Sequence, residues 1–490
     1  MKCLHVLTGV LVLAGCAAGP DFQAPAPPAS TAYAPTPFPA QTATASTLTG
    51  SAQRMKAGMA VPSHWWEVFG SAALNRLVDG ALRANSDLQA ADAALRVAQE
   101  TALAQRSGYW PSADLHFMPT RQGIAQPVAS PAASGSNLYA LLTAQLNIAY
   151  VPDVFGSNRR AVESLEAQTE VQRMQREAAA VSLSTNVVAA AIQLALLRSQ
   201  LDITNQAVVA ASRMLDISKR QQALGAGSAL DVSTQEAALA QARASLPALE
   251  KQLAQQRDLL AALTGALPDQ VEIESFGLDD LHLPETLPLT LPAQLVDQRP
   301  DVRAALAQLR AANANVGAAA AARLPSIMLS ATTGSSALEL SRLFKAGGGF
   351  WSVGADLVQP LFQAGALTHR ERAAEAAREQ AAAEYRSTVI AACQNVADTL
   401  HALYADARAL AAGAEAEQAA RRNLDMAQRQ LELGAVGQPA VLATRQVHLQ
   451  TLLGIAQARA ARLADTAALY QALGGGRLMS APPINGDDKS

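Results

Sequence analysis

Few residues in this 490-residue chain have the type and spacing that chemistry needs. The three cysteines are Cys3, Cys16 and Cys393. Lys2 supplies an early positive charge and Val6 to Ala14 a short apolar core. Leu13-Ala14-Gly15 then places small residues before Cys16. That is the pattern of a leader, residues 1–16, ending either at a cysteine that becomes lipidated after cleavage or, in an ordinary signal peptide, at a chance cysteine. Cys3 lies within the leader, so Cys393 is the one remaining thiol. A disulfide framework is excluded, and Cys393 reads as a small hydrophobe within a helix. The seven histidines are scattered without metal-ligand spacing. Ala226-Gly227-Ser228 lacks the flanking glycines of a nucleophile elbow. Gly347-Gly348-Gly349 is too little for a phosphate cradle and reads as a turn before Phe350-Trp351, an aromatic pair suited to a membrane–water boundary. The expectation is no catalytic site, no metal and no cofactor beyond a covalent lipid on Cys16, and so no enzyme.

Stepping outward, the net charge is −3, hydrophobic residues make up 50% and aromatics only 4%. There is no basic excess and no basic–aromatic patch, so nucleic acid is not an expected partner. Much Ala with few aromatics favours close helix–helix packing. No uninterrupted apolar run reaches the roughly 18 residues of a transmembrane helix. Ala17 to Gln53 carries one charge, Asp21, among many Pro, Ala, Thr and Ser residues. Residues 17–61 read as an extended linker.

The rest of the chain hangs on Asn158 to Leu224, which contains neither Gly nor Pro. Leu194, Leu201, Val208 and Leu215 recur every heptad, with Leu197 and Ala211 interleaved. One unbroken helix here would be roughly 100 Å long and must lie against partners along its length. Gly225 suits a left-handed residue after the helix end. Ser228, with Asp231 three residues on, reads as the cap of a return helix, about Ala229 to Thr264, which contains Pro247. The result is a helical hairpin over 158–265 with an exposed tip. It recurs roughly 210 residues later. Gly434 answers Gly225, Arg422-Asn423-Leu424-Asp425 answers Arg213-Met214-Leu215-Asp216, and Leu367 to Leu433 is interrupted only by Gly413. Upstream, Pro325-Ser326 answers Pro111-Ser112, and Phe362 answers Phe155. The chain is therefore a duplicated helix-strand-strand-long helix-helix unit. The first copy spans 62–275 and the second 276–476, with its hairpin at 367–474. A tail covers 477–490.

In each unit the hydrophobic period changes to two before the long helix. Four strands are expected, at about 112–119, 139–151, 326–333 and 350–361. Each has one apolar and one polar face, and Thr143, Gln145, Asn147, Ser352 and Asp356 fall on the polar faces. Two readings compete. In one, two hairpins pack their apolar faces on helices in a soluble α+β protein. In the other, the apolar faces meet lipid and the polar faces line a water-filled pore. A sheet in lipid has to close, and four strands are too few when about eight is the practical minimum. The second reading therefore needs several chains to share one barrel, continued by a helical tube.

The chain resembles the outer-membrane efflux factor lipoproteins of the TolC/OprM type. The resemblance rests on Cys16-Ala17-Ala18-Gly19-Pro20-Asp21-Phe22, Trp65-Trp66 with Phe69-Gly70, and Asp153-Val154-Phe155-Gly156 leading into Arg159-Arg160. It rests further on Gly225-Ala226-Gly227-Ser228 with Leu230-Asp231-Val232, Leu259-Leu260 with Leu263-Thr264-Gly265, and Arg299-Pro300-Asp301-Val302. Gln359-Pro360-Leu361-Phe362 and Leu473-Gly474-Gly475-Gly476 complete it. It implies an α+β membrane protein: a homotrimer whose chains each give four strands to a shared twelve-stranded β-barrel, continued by an α-helical barrel through the periplasm. It implies docking of the helix tips to a periplasmic adaptor and an inner-membrane pump of the RND type. The cargo would be small toxic molecules or drugs, conducted passively. By similarity to bacterial lipoproteins, Ala17 rather than Asp after Cys16 implies sorting to the outer membrane.

Carried over, Cys16 is the lipid site, and Gly225, Ser228, Leu230 and Asp231 form one tip. Gly434, Gln438 and Ala440 belong to the other, a docking and gating position. Members of the family commonly carry carboxylates at that second tip. Here it reads Gly434-Ala435-Val436-Gly437-Gln438-Pro439-Ala440, without them. Closure by small apolar side chains is the expectation. Rival functions are a type I protein-secretion channel, a trimeric adhesin-like outer-membrane protein, and a periplasmic lipoprotein enzyme on a helical scaffold. An adhesin's strands would sit together at the C-terminus, and an enzyme would need catalytic residues that the chain does not display.

Overall fold

The computed structural model describes residues 18–123, 138–270 and 276–476. The leader with Cys16, and the tail at 477–490, lie outside the described residues. The chain divides into two compact units. One comprises residues up to Ala24 with Leu95–Val171 and Ala305–Tyr385. The other comprises Pro25–Ala94, Gln172–Ala304 and the residues from Arg386.

The first unit contains a four-stranded antiparallel sheet. Its strands are β2 (Ser112–Gly123), β3 (Leu138–Tyr150), β5 (Ser326–Ala337) and β6 (Gly349–Val358), in the order β2-β3-β5-β6. Two strands come from each repeat, and β3 and β5 join the two hairpins. The register fixes the faces, because directly opposed residues share one. Ala113, Ile148, Ala331 and Val353 form one row, and Leu115, Leu146, Thr333 and Trp351 the next. That apolar face is exposed: Leu115, Trp351 and Val353 are all more than 70% accessible. The chain's own helices do not cover it, so the packing that the soluble reading requires is missing.

Three strand ends differ from the sequence expectation by more than one residue, the first being β2, which runs on to Gly123 rather than 119 because β3 pairs with it as far as Leu138. β5 runs on to Ala337 because β3 offers partners as far as Leu142, although Thr333-Gly334-Ser335-Ser336 has no hydrophobic alternation to announce it. β6 stops at Val358 rather than 361. Pro360 has no N–H for a ladder, and the Gln359 amide turns to the carbonyls of Arg323 and Pro360. Pro119 lies within β2, an edge strand of the four, where a missing N–H is tolerated.

Also in this unit, the first described residues are held down rather than left as a free tether. Arg160, 5% exposed, donates to the carbonyls of Ala18 and Gly19 and pairs with Asp21 and Glu163. Gly19, at φ +88°, lies against Gly317, and a side chain on either would collide with backbone. Phe22 packs on Leu309, Ala312 and Ala381 beneath the Arg310 guanidinium.

In the second unit a two-stranded parallel sheet pairs β1 (Arg54–Ala57) with β4 (Thr286–Leu289). Helix α1 (Ala72–Ala84) is capped by Ser71, whose side chain accepts the N–H of Leu74, and it buries Leu74, Val78 and Ala81. Trp65, Trp66 and Phe69 are fully buried, with Trp65 stacked on Tyr470. Helices α2 (Ser86–Arg106), in the first repeat, and α5 (Pro292–Gln298) and α6 (Pro300–Ala321), in the second, precede the strands, with α2 and α6 having residues in both units. The hairpins are α3 (Ser157–Ala223) with α4 (Ala229–Leu263), and α7 (Ala366–Glu432) with α8 (Gln438–Ala472). Both long helices have 67 residues. α3 includes a segment apolar enough to cross a membrane although polar residues interrupt it, but 78% of that segment is buried within the protein. Val187, Val188, Ala191, Ile192, Leu194 and Leu197 pack inward there. The heptad positions Val208, Ala211 and Leu215 meet Val232 and Leu239 of α4.

Candidate functional site

The features that could serve a conduit are the polar face of the sheet and the two hairpin tips. Strand register brings Thr143, Gln145, Asn147, Ser352 and Asp356 onto one face, opposite the apolar one. Hydrogen bonds between and within strands lace this face together. The Thr143 and Ser336 hydroxyls meet at 3.1 Å, and Thr332 Oγ1 and Gln145 Nε2 both donate to Asn147 Oδ1, at 3.1 and 3.2 Å. Such a surface suits water, while the opposite face suits hydrocarbon. Among the described residues β2 and β6 have no partner strand on their outer sides.

The two tips share one turn and differ in the cap that follows. After α3, Gly225 adopts φ +75°, and Ala226 N–H reaches the Gln221 carbonyl at 2.8 Å. After α7, Gly434 adopts φ +71°, and Ala435 N–H reaches the Gln430 carbonyl at 2.8 Å. Both are the same glycine-terminated closure. At the first tip Ser228 caps α4. Its hydroxyl accepts Asp231 N–H at 3.1 Å, and the Asp231 carboxylate accepts the Ser228 N–H at 2.9 Å and hydroxyl at 2.7 Å. Those bonds from Ser228 hold the Asp231 carboxyl below the usual range. At the second tip the cap is Gly437, with no side-chain hydrogen bond, followed by Gln438 and Pro439 in the first helical turn. Leu224, Leu230 and Leu433 stand exposed at the tips.

The structure also holds a buried polar node that the sequence reading missed. Arg462 is fully buried on α8. It donates to the carbonyls of Thr49 and Ser51 and to the Thr42 hydroxyl. Gln53, equally buried, donates to Thr466 one turn further on. Beside them the Asp465 carboxyl is pushed up to about 7, first by burial and then by its neighbour Asp406. Burial also lowers the Arg462 guanidinium, against the pull of Asp406. The available signal was a lone Arg set among Ala460, Leu463 and Ala467. Cys393 is half-buried on α7, and burial raises its thiol. Among the described residues no group of His, Cys, Asp and Glu could hold a metal ion.

Comparison with known proteins bears on what this arrangement is for. The family model described as outer membrane efflux protein matches residues 77–266 and 291–475, one segment in each repeat. The pyoverdine export outer membrane protein OpmQ of Pseudomonas aeruginosa is 29% identical over 415 residues, covering 84% of this chain and 87% of that protein. The antibiotic efflux pump outer membrane protein ArpC of Pseudomonas putida is 27% identical over 474 residues, covering 96% and 95%. Among solved structures, the outer-membrane channel OprN superposes with a TM-score of 0.82 at 26% identity, covering 95% of this chain and all of that one. With both repeats matched and relatives aligned along nearly their whole length, the chain belongs to the outer membrane efflux protein family.

Proposed function

We propose that this chain is the outer-membrane exit duct of a tripartite efflux system, and that three copies close one barrel of twelve strands. The observation that carries the reading is a sheet with one uncovered apolar face, one polar face and two unpaired edges. Backbone groups at those edges would be intolerable in hydrocarbon unless other copies pair with them. The polar faces then enclose water, and the helices continue the passage. The tips at Gly225–Asp231 and Gly434–Ala440 dock a periplasmic adaptor and, through it, an inner-membrane pump of the RND type. The energy comes from the pump, so the duct itself is passive. The cargo class is small toxic compounds, in keeping with a relative named for antibiotic efflux, beside another named for pyoverdine export. Cys16 carries a lipid that adds a second hold on the membrane.

Extraction and reconstitution test this together. A Cys16→Ser protein, freed of its lipid, is expected to stay in the outer membrane through carbonate washing and to form channels in planar bilayers. Release as a soluble monomer would refute the barrel.

A further inference from the structure

The polar face of the sheet carries very little charge, and what it carries has one sign. Rows of opposed residues fix its membership: Ser112, Ala149, Ser330 and Gly354 form one row, and Asp114, Asn147, Thr332 and Ser352 the next. His116, Gln145, Gly334 and Phe350 follow, and Met328 opposes Asp356. Among the described strand residues on this face the carboxylates are Asp114 and Asp356, His116 and the Tyr139 phenol are the other titratable groups, and there is no Lys or Arg. Arg121 belongs to the opposite face, towards the far end of β2. Asp114 and Asp356 are both exposed.

Their placement adds to this. Asp114 lies near the start of β2, the end that follows α2, and Asp356 near the end of β6 that leads to α7. Both therefore occupy the helix-side half of the sheet. β2 and β6 are its two edges. They run in opposite directions, so in a barrel closed by copies β6 of one chain lies antiparallel to β2 of the next. Each joint is then flanked by an Asp356 from one copy and an Asp114 from the other. At the second tip Gly437, Gln438, Pro439 and Ala440 add no charge.

We propose that Asp114 and Asp356 set the charge preference of the duct, making its barrel favour cationic over anionic solutes of similar size. The proposal rests on the reading above, that copies of the chain close one conducting barrel. The lumen of a twelve-stranded barrel is wide, so most solutes pass the wall charges at a distance rather than touching them. The reach of those charges is the screening length: about 30 Å at 0.01 M salt, about 10 Å at 0.1 M and about 3 Å at 1 M. Cation preference should therefore be pronounced in dilute salt and fade towards molar salt. A narrow filter, where ions contact the charged groups, would keep its preference.

The full-length protein in planar bilayers, under tenfold KCl gradients, provides the test through its reversal potential. Wild type is expected to favour K⁺ over Cl⁻ in the dilute gradient and to lose most of that preference in the concentrated one. Asp114→Asn with Asp356→Asn together should lower the dilute-salt permeability ratio by at least about threefold, with each single change giving part of the effect. Conductance in 1 M KCl, where the field is screened, should be unchanged and reports an intact pore. An unaltered ratio in the double variant with normal conductance would overturn the proposal, as would a wild-type preference independent of salt. If the double variant does not assemble, the single variants and the wild-type salt series decide the matter. Wild-type protein that forms no channels would sink the barrel reading and this inference with it.

Discussion

Asp465 shows how much a single carboxyl can reveal about where the chain is tightly built. Its pKa rises from 3.8 in an unfolded chain to about 7, through burial and the adjacent Asp406. Between those values the folded protein binds more protons than the unfolded one, so stability falls as pH climbs through that window and levels off above it. Thermal melts of the oligomer from pH 4 to 8 should show this decline, and Asp465→Asn should flatten it. Arg462→Ala is expected to cost on the order of 3 kcal/mol, because it empties a fully buried site and breaks the bonds to the Thr42 hydroxyl and to the part-buried carbonyls of Thr49 and Ser51. A melt within 1 °C of wild type would contradict the account. At the second tip, Ala440→Asp should raise cation preference if that aperture is lined by small apolar side chains. Reversal potentials equal to wild type would count against an uncharged gate. In the sequence only its apolar neighbours Ala460, Leu463 and Ala467 mark Arg462. An arginine on a long helix normally reads as solvated, and its burial depends on Thr42 to Gln53, more than 400 positions away in the chain.

At the scale of elements, what was legible followed from local rules. Asn158 to Leu224 reads as one helix because nothing in it can break a helix, and Gly225 and Ser228 announce the turn and the cap. The cap is itself testable. Ser228→Ala removes both hydroxyl bonds to Asp231, leaving only the backbone N–H to its carboxylate, and should cost about 1 kcal/mol, seen as faster amide exchange in the first turn of α4. No equivalent loss is expected at Gly437, which makes no side-chain cap bond. Strand ends were less legible than helix ends. Thr333 to Ser336 extends β5 only because β3 is long enough to pair with it, and pairing partners are not written in the strand that receives them. Residues 17–61 looked like slack chain from their Pro, Ala and Thr content. Arg160, Arg310 and Arg462 nonetheless hold parts of the described segment down, which composition cannot convey.

For the whole molecule the open question is closure, and the sheet states its geometry plainly. β2 and β6 are the strands available to a neighbour, so cysteines introduced on the helix-side ends of both, at Ser112 and Val358, should cross-link one copy to the next. Oxidation should yield dimers and closed trimers on denaturing gels, while either single cysteine should yield none. A ladder extending beyond three would argue for an open or larger ring. The duplication was readable from paired anchors such as Gly225 with Gly434 and Phe155 with Phe362. The number of copies was not, because a chain with two free edges specifies that it must be joined without specifying how often.

Those two unpaired edges also bear on inheritance. In a barrel closed by copies a lone subunit has no finished form, so each working duct would sample several products of translation. If three are needed and one faulty member spoils the ring, equal synthesis of sound and defective chains would leave only about one duct in eight entirely sound. A damaged allele whose product still reaches the membrane and pairs should therefore be dominant, whereas a deletion should be recessive.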